Sequence, residues 1–498
     1  MVILSAIIPN LAEDMKIELK DPVFQHISRI ASEKDIPVYL IGGYVRDIIM
    51  QRPTTDIDIM CVGSGIQFAK WVADDLGKVK VQVFKSFGTA MLQYKNVQLE
   101  FVGARKESYR ADSRNPIVED GSLEDDVQRR DFTINTLAIS LNKNDFGNLL
   151  DPFGGLDDIK AKIIRTPLQP DSTFSDDPLR MLRAIRFASQ LDFQIYPETL
   201  DSIRKNNHRV EILSTERVTE EINKIILSNK PSIGFLLMDQ TGLLELIFPE
   251  LHATKGIEKI QNQKHKDNFL HTIKVLDNIT ANTDNLWLRW ATLLHDIAKP
   301  LTKRFEPDIG WTFYGHNHFG AKMIPGIFKK MKLPLNEKMK YVQKLVNLHM
   351  RPVTLVQETV TDSAIRRLLF EAGDDIDDLM TLCEADITSG NKERVKKYLR
   401  NFNLVRQKLK EIEDKDRVRN WQPPVSGEEI MEVFEIPPSK TIGDIKKTIR
   451  EAILDGHIHN TREEAWALMI QTGEKMGLSP VNPEMPAIET KTEKNEEA

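Results

Sequence analysis

The sequence is poor in cysteine. Only Cys61 and Cys383 occur among its 498 residues, both in apolar context. They read as buried thiols in a reducing, cytoplasmic setting, not as a disulfide framework. Long hydrophobic runs are also missing. No stretch reaches about 18 apolar residues, so no membrane span is expected. The opening MVILSAIIPNL is apolar but lacks a basic leader and a small-residue cleavage site. It is expected to be a helix or strand of the fold, not a signal peptide. An excess of positive charge is absent too, because the net charge is −6. That excludes a uniformly basic nucleic-acid binder, so any polyanion must meet segregated patches. No repeat period shows, which argues against a solenoid.

What is present is ordinary for a globular chain: 41% hydrophobic and 29% charged residues. The length is too great for one core and predicts about three or four domains. Residues 37–105 carry strand signals in PVYLIGG, TDIDIMCV, KVKVQVF, TAMLQY and VQLEFVGA, with a helix predicted over 63–76. From about residue 127 the pattern turns helical. Prolines 167, 170 and 178 mark that change. Further composition shifts fall near residue 250 and at Trp421-Gln422-Pro423-Pro424. The end, 480–498, is Pro- and Lys/Glu-rich, and disorder is expected there.

Residues 41–60, IGGYVRDIIMQRPTTDIDIM, hold the first chemical constellation. Strand residues two apart share a face, so Asp56 and Asp58 point one way while Ile57 and Ile59 face the core. Two such carboxylates repel unless a divalent cation joins them, and Mg2+ takes carboxylates plus substrate phosphates. Gly42-Gly43 precedes a helical run, whose N-terminal N–H groups suit an anion. Arg46, in the first turn, can fork onto phosphate. These parts suit a nucleoside triphosphate with Mg2+. Glu100, in VQLEF, is either a third metal-side carboxylate or an edge-strand charge.

RRDFTINTLAI (129–139) groups Arg130, Asp131 and Asn135. If it is helical, Asp131 and Asn135 share a face and can hold ribose hydroxyls, with the arginine on phosphate; an internal salt bridge is the competing reading. DPFGGLDDI (151–159) is a hinge or a tight packing turn. In SDDPLRMLRAIRF (175–187), Pro178 suits a first helical turn and makes Asp177 and Arg180 neighbours, with Arg183 a turn further on. A carboxylate beside a guanidinium complements the N4 donor and N3 acceptor of cytosine, or the N6 donor and N1 acceptor of adenine. Guanine and uracil present the reverse order. The wrong base leaves groups unpaired, at about 1–3 kcal/mol each. A plain surface ion pair is the simpler alternative.

In this order, GGxVRD with DID, then RRDFTIN, DPFGG and DxxR resemble motifs A to D of class II tRNA nucleotidyltransferases. That family holds the CCA-adding enzymes and bacterial poly(A) polymerases. STERVTEEINKIIL (214–227) is similar to their helical motif E. The resemblance covers roughly residues 20–250. It implies metal binding by Asp56 and Asp58, and triphosphate binding by Gly42, Gly43 and Arg46. It assigns the sugar–phosphate to Arg130, Asp131 and Asn135, and base recognition to Asp177 and Arg180. Two departures stand: Asp176-Asp177 where the family usually has Glu-Asp, and Asn135-Thr136 where it usually has Asn-Ala.

A third constellation is rich in histidine: His271, His295-Asp296, His316, His318, His349 and Asp386. Histidine and aspartate are ligands for a divalent metal that activates water. The order resembles the HD phosphohydrolases, which some tRNA nucleotidyltransferases carry as a domain. His271, His295, Asp296 and Asp386 match the core motif, and His316 and His349 the extra positions of two-metal members. A helical scaffold without activity is the alternative. Residues 392–410 place Lys392, Arg394, Lys396, Lys397, Arg400, Arg406, Lys408 and Lys410 against Glu393 alone. Leu399, Phe402, Val405 and Leu409 recur at near-helical spacing, as in a basic amphipathic helix able to lie on a phosphate backbone.

The expected fold is α+β, mostly α, with a polymerase-β-like palm. The expected segments are a nucleotidyltransferase head over 1–165, a helical neck over 166–250, an HD domain over 251–400, a helical tRNA-binding region over 401–480 and a disordered tail from 481. The expected activity is addition of CCA to tRNA from CTP and ATP with Mg2+, with a second metal-dependent hydrolase. CC-adding, A-adding and poly(A) activities, or an HD hydrolase with a regulatory nucleotide-binding part, are the alternatives. CC-adding relatives typically lack a flexible loop between motifs A and B; here KESYRADSRNPIVEDGSLEDDVQ (106–128) is long and polar, which favours the full reaction.

Overall fold

The computed structural model describes residues 15–85, 88–110, 113–260, 263–357, 361–389, 391–416, 419 and 421–485. The expectation for MVILSAIIPNL lies outside these residues. The chain forms two compact units, one of residues up to 255 with 330–333, the other of 256–329 with 334 onward.

The first unit begins with α1 (Val23–Lys34), β1 (Val38–Ile41), α2 (Gly42–Ile49), β2 (Asp56–Cys61) and α3 (Gly65–Asp75). Strands β3 (Val81–Phe84), β4 (Thr89–Tyr94) and β5 (Val97–Gly103) follow, then β6 (Arg105–Arg110), β7 (Ser113–Asp120) and α4 (Leu123–Gln128). Strands β8 (Ala138–Ser140) and β9 (Leu149–Leu150) complete a sheet of order β3-β4-β5-β2-β1-β8-β9. Only β2 and β5 pair in parallel within it.

Alternation decides what each face carries. Val38, Leu40, Ile57, Ile59, Leu99 and Phe101 are buried with Phe24 and Ile27 of α1 and Phe68 and Val72 of α3. Phe68 meets Phe101 at 6.0 Å between ring centres. The opposite face holds Ile41, Met60, Ala104 and Ala138, and it is the face of Asp56, Asp58 and Glu100.

Two stretches hold strands that the local pattern does not announce. The part after residue 127 is largely helical, but Ala138–Ser140 extend as β8 alongside β1. All three residues are buried there, between β1 and β9. Within the polar stretch 106–128, β6 and β7 form an antiparallel hairpin with an irregularity between Ser108 and Arg110, and α4 follows. Ser122 and Asp125 make a reciprocal capping box that starts α4.

The rest of this unit is mostly helical, apart from a short parallel pairing of Ile163–Ile164 with Gln194–Ile195. It runs through α5 (Gly155–Ala161), α6 (Pro170–Asp176), α7 (Leu179–Leu191), α8 (Pro197–Asn206), α9 (Thr215–Ile226), α10 (Pro231–Gln240), α11 (Leu243–Ile247) and α12 (Pro249–His252). DPFGG is a packing turn. Gly155 N–H and Leu156 N–H donate to the Asp151 carboxylate, and a Cβ on Gly155 would lie 2.4 Å from the Thr133 carbonyl oxygen.

The second unit contains α13 (Asn268–Ile279), α14 (Leu286–Leu294), α15 (Lys299–Thr302), α16 (His316–Lys330), α17 (Glu337–Leu348), α18 (Met350–Gln357), α19 (Asp362–Ala372), α20 (Ile376–Ala385) and α21 (Lys392–Asp416). On α21, Phe402, Val405 and Leu409 are buried, but Leu399 is exposed. Arg406 is paired with Glu384 of α20 at 2.7 Å rather than presented to a phosphate backbone. Helices α22 (Gly427–Phe434), α23 (Lys440–Leu454) and α24 (Arg462–Lys475) have their own core around Ile430, Ile445, Ile449, Trp466 and Met469. The disorder expected from about residue 480 does not begin there. Val481 N–H donates to the Val433 carbonyl and the Trp466 indole N–H to the Pro483 carbonyl, while the part from 486 lies outside the described residues.

Candidate functional site

In the first unit the parallel pairing of β2 with β5 sets Asp58 directly beside Glu100. The two are 42 positions apart in sequence, and the sheet makes them neighbours. Asp56 is exposed and Asp58 half-buried. Burial pushes the Asp58 carboxyl up to about 6; Glu100 and Asp56 push the same way, while Arg130 and Arg46 oppose. A buried carboxylate crowded by two acids is short of positive charge. That donor set fits a hard divalent cation.

Gly42 closes this corner. Its φ is +71°, and a Cβ there would meet Arg130 Nη1 at 3.1 Å and Asp58 Oδ2 at 3.2 Å. Glycine allows both the turn and the close approach. A cleft of about 490 Å3 opens here, lined by Asp58, Glu100, Phe84, Met91, Arg105 and Arg130 among others.

The guanidinium of Arg46 is not a free fork. Its Nε and Nη2 donate to Asp47 and its Nη1 to Asn135, each at 2.9 Å, and it lies 5.1 Å over the Phe187 ring. Asp131 and Asn135 do meet, at 2.9 Å, but through a 3₁₀ turn at Thr133–Asn135 and not an α-helix. The other Asp131 oxygen accepts Arg183 Nε at 2.8 Å. Burial pushes the Asp131 carboxyl up, but Arg183 and the Asn135 amide outweigh it and hold it at about 2. The internal ion pair weighed against the ribose reading is therefore present.

Asp177 follows α6 in an extended conformation, and its Oδ1 accepts the Leu179 N–H at 3.2 Å. Pro178 caps α7 rather than occupying its first turn. Arg180 Nη2 donates to the Arg129 carbonyl at 2.6 Å. Asp177 and Arg180 are both half-buried.

In the second unit, α13, the end of α14, α16, α17 and the end of α20 bring six candidate ligands together, four histidines and two aspartates. Two triads form: His271, His295 and Asp386, and Asp296, His316 and His349. Asp296 joins them. Its Oδ2 lies 3.4 Å from His271 Nε2 and 3.2 Å from His295 Nε2, and its Oδ1 lies 3.4 Å from His316 Nε2 and 4.0 Å from His349 Nε2. His295, His316 and His349 donate Nδ1–H to the carbonyls of Thr292, Phe313 and Val346. With Nδ1 engaged in this way each Nε2 is directed inward, where it can ligate a metal once it carries no proton. His316 Nε2 and His349 Nε2 stand only 3.2 Å apart. His295 Nε2 is buried without a well-aligned hydrogen bond. Inward lone pairs around a two-oxygen carboxylate fit divalent metal.

Burial opposes charge on His295, but Asp296 and Asp386 outweigh it and raise it to about 10. Burial pushes His349 down to about 3, with His295 adding to the effect. Around the centre lies a cavity of about 910 Å3, whose lining includes Lys266, Lys299, Trp311, Tyr314, Arg394 and Tyr398. His318 does not line it.

Family models match in three places. The Poly A polymerase head domain covers residues 38–165, the probable RNA and SrmB-binding site of polymerase A covers 192–255, and the HD domain covers 264–389. The A-adding tRNA nucleotidyltransferase of Deinococcus radiodurans is 31% identical over 362 residues, 71% of this chain and 80% of that protein. The chain belongs to the tRNA nucleotidyltransferase family. The multifunctional CCA protein of Shewanella frigidimarina is 33% identical over 309 residues, 60% of this chain and 70% of that one. A solved CCA-adding enzyme in its second apo form shares the fold at a TM-score of 0.62 and 23% identity, over 92% of this chain and 97% of its own.

In this nucleotidyltransferase the structure also shows buried ion pairs that sequence reasoning passed over. Asp126 is fully buried and pairs with both Arg129 and Arg130. Glu221 of α9, also buried, holds Arg186 of α7 at 2.8 Å. Lys299 lies 2.6 Å from Asp296. The i, i+3 spacing of Asp296 and Lys299 was readable; the contact of Arg186 with Glu221 was not, because it joins separate helices.

Proposed function

We propose that this enzyme adds C, C and A to the 3′ ends of tRNA from CTP and ATP, without a nucleic-acid template. The observation that carries the reading is the convergence of Asp58, Glu100, Gly42 and Arg130 at one corner of the sheet. In this reading the tRNA 3′ oxygen bonds to the α-phosphorus and the bond to pyrophosphate breaks. Asp56 and Asp58 would hold Mg2+, with Glu100 as the third carboxylate. Bound metal would lower the hydroxyl pKa and stabilise the leaving pyrophosphate. Gly42 and Gly43 would offer backbone N–H groups to the triphosphate at the start of α2. Arg130 would add a guanidinium beside it. Arg46, Asp131, Asn135 and Arg183 form one bonded group that would set the nucleotide's floor, and Asp177 and Arg180 would read the base. The tRNA body would meet the basic side of α21 and the α22–α24 module, in the cytoplasm.

Addition of A alone is a second reading, favoured by the name of the Deinococcus relative. One assay separates them. tRNA ending at the discriminator base, at C or at CC is offered with labelled CTP, ATP, GTP or UTP and Mg2+. Growth to CCA supports the first reading, and growth only from CC with ATP supports the second. Growth past one A indicates a poly(A) polymerase, and no incorporation overturns all three.

The HD centre would be a metal-dependent phosphohydrolase acting on a phosphate ester, with a cyclic phosphate at damaged RNA ends as the candidate. Lys266, Lys299 and Arg394 in the same cavity support an anionic substrate. Its metal ligands would be His271, His295, Asp296 and Asp386, with His316 and His349 serving a second ion. Opening of the cyclic phosphate by water to a phosphomonoester by metal-loaded protein, lost in His295→Ala, tests this.

A further inference from the structure

We propose that Asp126 is a positioning residue for nucleotidyl transfer and acts through Arg130. The inference rests on Asp58 being a catalytic carboxylate. Asp126 has no exposed surface. It lies on α4, whose start is fixed by the Ser122–Asp125 capping box. Its two oxygens are divided between two arginines. Oδ1 accepts Arg129 Nε at 3.0 Å, and Oδ2 accepts Arg130 Nε at 3.1 Å and Nη2 at 2.8 Å.

Two nitrogens of Arg130 bound to one oxygen leave the guanidinium little freedom to rotate. The third nitrogen, Nη1, is thereby aimed at the Gly42 corner, where Asp58 Oδ2 also arrives. The other half of the clamp reaches the opposite side of the site. Arg129, held by Asp126, offers its carbonyl to Arg180 Nη2 at 2.6 Å. One buried carboxylate thus sets the distance between the carboxylate corner and the start of α7. An amide in its place has one acceptor oxygen and turns N–H donors toward guanidinium donors.

The test compares Asp126→Asn, Asp126→Glu, Arg130→Ala and the Asp126→Asn/Arg130→Ala double variant in the full-length protein. It measures kcat and KM for CTP and ATP, tRNA affinity and melting temperature, with Asp58→Ala as the control. Asp126→Asn is expected to lower kcat/KM for each incorporated nucleotide by about tenfold or more while tRNA affinity stays within about twofold. Asp126→Glu should recover part of the loss. The double variant should fall no lower than Arg130→Ala alone, because the second change then has nothing to position. The proposal is overturned if Asp126→Asn keeps wild-type kcat/KM, or if the losses multiply in the double variant. It is also overturned if the loss follows melting and tRNA affinity down with no rescue by glutamate. Undiminished incorporation by Asp58→Ala would instead sink the reading of the carboxylate corner itself.

Discussion

Replacing Asp131 by asparagine should show how the centre of the nucleotide-binding half is held. Asp131 is 8% exposed and accepts the Phe132 N–H, the Asn135 amide and the Arg183 guanidinium. Asparagine keeps the shape but loses the charge and one acceptor. Breaking a buried pair costs about 3–5 kcal/mol; Arg183 keeps some access to water, so about 3 kcal/mol is expected at neutral pH. Part of that cost depends on pH. The carboxyl ordinarily titrates at 3.8 and is held at about 2 here. A lowered folded pKa contributes stability that is full above the unfolded value and is lost as pH falls through the folded one. The charge contribution is therefore about 2 kcal/mol above pH 4, and about 1 kcal/mol of it is gone by pH 3. Native-state hydrogen exchange on peptides covering 129–136 and α7 reads this locally, without requiring the two units to unfold together. The gap between wild type and Asp131→Asn should narrow by about 1 kcal/mol from pH 7 to pH 3. A gap that stays constant or widens would refute the assignment of the shift to the Arg183 pair.

Other outcomes are expected at the two centres. Asp58→Ala should reduce nucleotide incorporation to background while filter binding of tRNA persists; retained incorporation would remove Asp58 from the chemistry. Asp177→Ala should relax the preference for CTP and ATP over UTP and GTP by about 10- to 100-fold, the equivalent of about 1–3 kcal/mol, and unchanged discrimination would end the base-reading argument. Gly42→Ala forces a side chain into a φ of +71° against Arg130 and Asp58, so competition assays should show weakened nucleotide binding. Elemental analysis of purified His295→Ala should show less bound metal than wild type, and equal content would leave that centre a scaffold role.

Several features were legible because they depend on near neighbours in the chain. The alternation in DIDIMC placed Asp56 and Asp58 on one face and buried Ile57 and Ile59 on the other. The motif order alone pointed to the family. The helical reading of RRDFTIN failed because its side chains are claimed by tertiary partners: Asp131 by Arg183, and Thr133 by Asp158 at 2.7 Å. Such bonds favour a 3₁₀ turn that local pattern does not announce. The hairpin within the polar stretch 106–128 was not legible for a related reason. Polarity says that a segment is wet, not that its backbone is unpaired.

By itself, then, the sequence determined the family, the strands β1 to β5 and the candidate ligands at both centres. These follow from local periodicity and from which residue types stand in which order. Tertiary structure alone decided that Glu100 stands beside Asp58, because only the pairing of β2 with β5 joins residues 42 positions apart. It alone decided that the Arg46 fork is occupied and that Asp126 governs Arg130. Asp296 shows the division most plainly. Its letter stood in a readable motif, but its place between His271 and His295 on one oxygen and His316 and His349 on the other comes from helices brought together by a common core. Chain order carries the chemistry of each group; distance and burial decide which groups share a charge.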